Sequence, residues 1–165
     1  MRLETFWTVQ LLPAAIGEAW EFFSDPRNLG KITPPFLGLE ITSDVPARMH
    51  AGMIVTCGVR PFPGVRMGWV TEITHVEEPH LFVDEQRFGP YRFRHHTHRF
   101  REVEGGVEAE DTVRYALPFG AVGATVAGRI VRRRLGEIFA YRRRVLEERF
   151  PAGAGNRQAP PKRSP

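Results

Sequence analysis

A single cysteine, Cys57, stands among the 165 residues, so neither an internal disulfide nor a zinc site built on cysteine pairs can form. Its setting, MIVTCGVR, reads as a strand with no adjacent base to activate the thiol, and the expectation is a small packed side chain. No run approaches the roughly 20 apolar residues of a membrane span. The opening MRLETFWTVQ alternates polar and apolar residues without the apolar core of a secretory signal, which points to a cytoplasmic protein. There is no G-x-S-x-G nucleophile elbow, and GAVGATVAG lacks the Lys and Ser/Thr pair of a phosphate loop. No internal repeat is visible.

What is present is an ordinary globular composition, 42% hydrophobic and 25% charged, in a chain of one-domain length. The formal charge of +4 is unevenly placed. Residues 129–150 hold eight Arg against three Glu, and the tail adds Arg157, Lys162 and Arg163, leaving the first 128 residues acidic. The arginines fall on what reads as the outer face of one helix, with no base-stacking or base-reading groups beside them, so solvation explains them and no nucleic-acid partner is expected. The same helix commits its apolar stripe to packing, which argues against stable membrane insertion.

RLETFWTVQLL alternates as a strand does, and AAIGEAWEFFSD behind Pro13 carries Ile16, Ala19, Trp20 and Phe23 at helical spacing. A second helical turn follows before Pro34 and Pro35. Six further strands are expected: LGLEITSDV, MIVTCGVR, VRMGWVTEITHVE, LFVDEQRF, YRFRHHTHRFREV and VEAEDTVRYAL, separated by AG, PFPG, EEPH, GP and EGG turns. From Phe119 to about Phe150 the chain reads as a long helix with Val131, Leu135, Ile138, Phe139, Val145 and Leu146 on one stripe. Residues 1–150 thus form one domain, and the Pro/Gly/Ala-rich basic tail, residues 151–165, is expected to be disordered. The fold class is α+β, a curved seven-stranded antiparallel sheet gripping a long C-terminal helix.

ITPPFLGLEI, FVDEQRFGPYRFRHHTHRF, the Gly-Gly hairpin, DTVRYALPFGAVG and RLGEIFAYRRRVL, taken in order over roughly residues 3–148, resemble the bacterial polyketide cyclase/dehydrase-like proteins of the START-like (SRPBCC) superfamily. The resemblance implies the helix-grip fold, related to Bet v 1, and a deep, mainly apolar cavity for a small lipid-like, aromatic or polycyclic molecule. It does not imply a reaction. Such proteins often carry Trp just before the His pair; Arg94 stands there in this chain, which would favour an anionic or phenolic ligand if it faces inward.

The histidines of RFRHHTHRF are the candidate chemistry. With Gly105 and Gly106 as a tight turn, His98 opposes Val113, His96 opposes Tyr115 and Phe100 opposes Asp111. The face of Val113, Tyr115 and Leu117 is apolar, so His96, His98 and Phe100 point inward and His95 and Thr97 outward. With Gly89 and Pro90 as the preceding turn, Val83 opposes His96 and Glu85 opposes Arg94, which places Glu85 on the cavity wall; a one-residue bulge would reverse this. The predicted ligand-binding set is Glu85, Arg94, His96, His98, Phe100, Val113, Tyr115 and Leu117, with His96, His98, Glu85 and Asp111 as catalytic candidates.

Four readings compete. Reversible binding of a small hydrophobic molecule leads. A cyclase or dehydratase using cavity His, Glu or Asp as acid–base groups follows. A purely structural His pair and a metal held by His-x-His and one carboxylate come last together; the metal needs three ligands converging at about 2 Å, and no metal or other cofactor is expected. The protein is expected to be a monomer or homodimer. The loops at Phe62–Gly64 and Phe119–Gly123 are expected at the cavity mouth.

Overall fold

The structure, a computed structural model, describes residues 3–62, 64–118 and 120–152. Pro63, Phe119 and residues 153–165, the last comprising most of the tail, lie outside the described residues.

Seven strands form one antiparallel sheet: β1 (Glu4–Leu12), β2 (Glu40–Ile41), β3 (Ile54–Phe62), β4 (Val65–Glu77), β5 (Leu81–Phe88), β6 (Phe93–Val103) and β7 (Gly106–Ala116), in the order β1-β7-β6-β5-β4-β3-β2. The helix α1 (Ile16–Phe23) and two 3₁₀ turns, Pro26–Asn28 and Pro35–Leu37, follow β1; α2 (Gly120–Arg149) closes the chain. No helix among the described residues is long and apolar enough to cross a membrane.

The local causes are readable. Glu18 reaches back to accept the Ala15 N–H at 3.1 Å, closing the start of α1. Asp25 accepts from the Arg27 N–H at 3.0 Å and caps the first 3₁₀ turn. Trp20 then meets Phe82 and Phe100 edge-on, each at 6.0 Å. The expected strand LGLEITSDV shrinks to two residues, because Gly38 turns left-handed (φ 51°) to end the second 3₁₀ turn. Among the described side chains of α2 the buried ones are Leu135, Phe139, Arg142 and Leu146, three and four apart, which sets one face against the sheet.

Both hairpin registers differ from the expectation, with opposite consequences. In β6–β7 the turn is Glu104–Gly105 and pairing begins at Val103 opposite Gly106. His98 therefore opposes Asp111, His96 opposes Val113 and Phe100 opposes Ala109. The slip is two residues, an even number, so every side chain keeps its face. In β5–β6 Phe82 opposes His98, Asp84 opposes His96 and Glu85 opposes His95. This slip is a single residue, and it turns Asp84 inward and Glu85 outward. The cause lies in the connecting loop: Gln86 donates from Nε2 to the Tyr91 carbonyl at 2.7 Å and accepts the Tyr91 N–H at 3.3 Å. A side chain thus replaces one rung of the ladder and absorbs the odd residue.

Candidate functional site

The sheet and α2 enclose a cavity of about 300 Å³. Its walls are mostly apolar: Val55, Cys57, Val59, Ile73 and Phe82 from the sheet, Ile32 from the first connection, Leu135, Ile138 and Phe139 from α2. Cys57, expected as a packed strand residue, is buried on this wall, and burial pushes its thiol up to about 11. Pro61 and Pro118, beside the two loops expected at the mouth, also line the space.

One wall is polar. His96 and His98, two apart on β6, share a face. Asp84 of β5 lies directly across from His96, and Asp111 of β7 directly across from His98. A diagonal stripe of acid, imidazole, imidazole, acid thus crosses three strands, and all four side chains are buried. Arg94, two residues before His96, donates to Asp84 Oδ1. Arg142, from the middle of the α2 stripe, donates to Asp111 Oδ1 at 2.9 Å. Each carboxylate therefore has its own guanidinium.

The contacts assign the protons. Arg94 Nη2 lies 2.9 Å from His96 Nδ1, and a guanidinium only donates, so Nδ1 carries the lone pair. His96 is then neutral and donates from Nε2 to Asp111 at 2.9 Å. The 3.3 Å approach of His96 Nδ1 to Asp84 has no proton between the two acceptors, and Arg94, which donates to both, bridges them. His98 differs: Nε2 meets Asp84 at 3.0 Å and Nδ1 meets Asp111 at 2.8 Å, so both nitrogens face carboxylates and both donate when the ring is an imidazolium. Phe82 stacks on the His98 ring at 4.0 Å, and the two imidazoles sit 3.8 Å apart.

The titrations follow. Burial and the neighbouring His98 charge hold His96 below its ordinary value. Burial also opposes charge on His98, but hydrogen bonds and attraction from Asp111 and Asp84 outweigh it and raise its pKa. Burial alone would raise both carboxyls; Arg94 for Asp84 and Arg142 for Asp111, helped by the two histidines, instead hold them well below the usual range. Two adjacent histidines with opposite shifts, coupled through shared acids, form one titrating unit.

Of the residues named from sequence, Arg94, His96, His98, Val113 and Leu117 line the cavity. Asp111 sits behind the two histidines, beside a second space of about 10 Å³ shared with Thr8, Gln10 and Arg142. Phe100 and Tyr115 turn inward as expected but pack in core clusters and do not reach the cavity wall, Phe100 against Trp20, Phe23 and Phe82, Tyr115 against Leu135 and Phe139. Glu85 is a correction: on the outer face it binds His95 at 3.0 Å and Arg87 at 3.0 Å. Its half-exposed ion pairs contribute little, and Glu85→Gln is expected to change unfolding stability by about 1 kcal/mol or less in urea titration; a larger loss would contradict the outward register.

Two members were missed. Asp84 replaces Glu85 for the reason of loop parity. Arg142 carried a signal, since it stands three residues after Phe139 and four before Leu146, inside the apolar stripe, where a charged residue needs a buried partner. Asp84, His96 and His98 also offer three donor atoms within 4.8 Å of one another. Arg94 holds both an oxygen of Asp84 and the free nitrogen of His96, so a guanidinium already fills the cation's place in this geometry.

Residues 12–139 match the model of a family described as polyketide cyclase/dehydrase and lipid transport. No curated protein sequence matches the chain. Among solved structures it is similar to TTHA0849 from Thermus thermophilus (16% identity, TM-score 0.68, covering 92% of this chain and 99% of that one). It is similar also to Ms6760 from Mycobacterium smegmatis (19% identity, TM-score 0.63, covering 90% and 95%). A third, the di-domain ARO/CYC BexL from the BE-7585A biosynthetic pathway, is similar at 16% identity and TM-score 0.68, over 91% of this chain and 50% of BexL.

Proposed function

The chain belongs to the polyketide cyclase/dehydrase and lipid transport family, and from that premise we propose that it reversibly binds a small, mainly apolar molecule in the cavity between sheet and helix. The observation that carries this reading is the shape of the space: about 300 Å³ of largely apolar wall with one cluster of directed polar groups. The bulk of a ligand would be held by desolvation against Val55, Ile73, Phe82 and Phe139, and its orientation by the polar wall.

Native mass spectrometry of freshly purified protein, followed by organic extraction, tests it directly. A non-covalent adduct that disappears on denaturation supports the reading. A bare protein mass, together with failure of apolar dyes to bind, overturns it. Cys57 supplies a second readout, because it is the described chain's one thiol and lies on the cavity wall. Ligand at about ten times its Kd is expected to slow Cys57 modification about tenfold, followed by the absorbance of a released thiopyridone; unchanged kinetics would place the ligand elsewhere.

A second reading is favoured by the protonation pattern. Two imidazoles 3.8 Å apart at a cavity wall, their pKa values shifted in opposite directions, would offer a base and an acid to a substrate that displaces Arg94 from His96 and a carboxylate from His98, as a ring closure or dehydration requires. BexL, similar in fold, is described as an ARO/CYC protein. If the chain is an enzyme, His96→Gln and His98→Gln lower turnover by about 10² or more, with bound-ligand affinity changing less.

A further inference from the structure

Resting on the reading of the cavity as a ligand site, we infer that its polar wall takes an organic acid, bound as the carboxylate, and that His98 holds a proton whenever that anion is present.

The first support is the tally of buried charges. Asp84 is matched by Arg94 and Asp111 by Arg142. His98, with both nitrogens directed at carboxylates, adds a third cation to a set with two anions. His96 cannot offset it, because its free nitrogen already accepts from Arg94. A surplus positive charge out of water is costly, so the cluster either gives up the His98 proton or acquires an anion. Among the described residues no other element supplies one. Of the remaining ionisable groups on the cavity wall, Asp25 is engaged by Arg27 and Arg134 by Glu137, while Cys57 and Tyr91 are kept neutral by burial.

The second support is the count of hydrogen-bonding groups. A guanidinium carries five N–H donors. Among the described residues Arg94 uses Nη1 on Asp84 and Nη2 on His96, Arg142 uses Nη1 on Asp111, and Arg142 Nε is buried with no partner. Fewer acceptors are spare: three of the four carboxylate oxygens are engaged, both of Asp84 and Oδ1 of Asp111, the last approached by His96, His98 and Arg142. A wall with more spare donors than acceptors suits a ligand end that only accepts, and a carboxylate matches the planar fork of a guanidinium.

Calorimetry on the full chain tests this with two probes of nearly equal shape, naphthoate and the uncharged acetylnaphthalene, each in a pair of buffers with different heats of ionisation. Naphthoate is expected to bind about tenfold or more tightly than the ketone, the worth of one charge-assisted hydrogen bond. Its binding is expected to take up a proton, the number rising toward one per site as pH is raised from the ordinary imidazole value of about 6.5, above which the unliganded His98 titrates. His98→Gln should remove the uptake; the wild-type buffer comparison stands even if that variant folds poorly. Equal affinity for the two probes, or naphthoate binding without proton uptake as pH is raised above that value, overturns the inference and leaves the cavity as a neutral-ligand site. If neither probe binds, the ligand-site reading itself falls, and this inference with it.

Discussion

Replacing Asp111 with asparagine is expected to lower unfolding stability by about 3–5 kcal/mol at neutral pH, the cost of stranding a buried cation whose partner has gone. Asn keeps the shape and one acceptor, so the loss reports charge and not a cavity. What it strands is Arg142, buried beneath α2, together with the Asp111 side of His98. Urea titration measures the effect, and a loss below about 1 kcal/mol would mean that the cluster is wetter than its geometry shows. The double variant Asp111→Asn, Arg142→Met should recover part of the loss, because an apolar replacement removes the orphaned charge.

The same carboxylates set the acid limit of the fold. Asp84 and Asp111 are held well below 3.8 in the folded chain, so at low pH the unfolded chain binds protons that the folded chain does not. Their contribution is fully present above the unfolded value and is lost as pH falls through the folded values. Acid titration should therefore show stability falling below about pH 4, with a shallower fall in Asp111→Asn. The histidines work in opposite senses. His98, raised, stabilises below its unfolded value and loses that contribution as pH rises through its folded one; His96, lowered, destabilises as pH falls from its unfolded value.

Gly106→Ala is the second large effect, expected to cost about 3 kcal/mol or more. Gly106 opens β7 with φ 143°, and a Cβ there would lie 2.1 Å from the Leu12 carbonyl oxygen and 2.9 Å from Pro13 Cα. Both obstacles are backbone at the end of β1, so no side-chain rotation relieves them. Gly64→Ala is the control, because Gly64 also has positive φ (76°) but nothing within 4 Å of the added carbon; its cost should be only the conformational one, about 1–2 kcal/mol. If thermal unfolding showed the two variants equal, the close approach of β1 and β7 would not hold.

The candidate site was half legible for one physical reason. Sequence pattern and structure both turn His96 and His98 inward even though the β6–β7 turn sits one position earlier than expected, because a slip by an even number preserves the face. Glu85 faces outward, against the inward expectation, because the β5–β6 connection holds an odd extra residue and the Gln86 side chain satisfies the Tyr91 backbone there. Turn residues mark where a hairpin bends; they do not say how many rungs a side chain will replace. Phe100 and Tyr115 show a related limit. Facing inward is a property of the strand, whereas lining a cavity depends on whether α1 or α2 covers that stretch of sheet.

By itself, then, the sequence determined the elements, their order and the apolar faces they present, because periods of two and of three to four are local and survive small errors of boundary. The tertiary structure alone decided which charges meet. Asp84, His96 and Asp111 come together through two separate registers, and Arg142 reaches Asp111 across 31 positions only when α2 is rotated to lay its stripe on the sheet. Those are relations between elements, set by loop parity and by the packing of helix on sheet, and the same relations hold the pKa of one imidazole below its ordinary value and raise that of its neighbour.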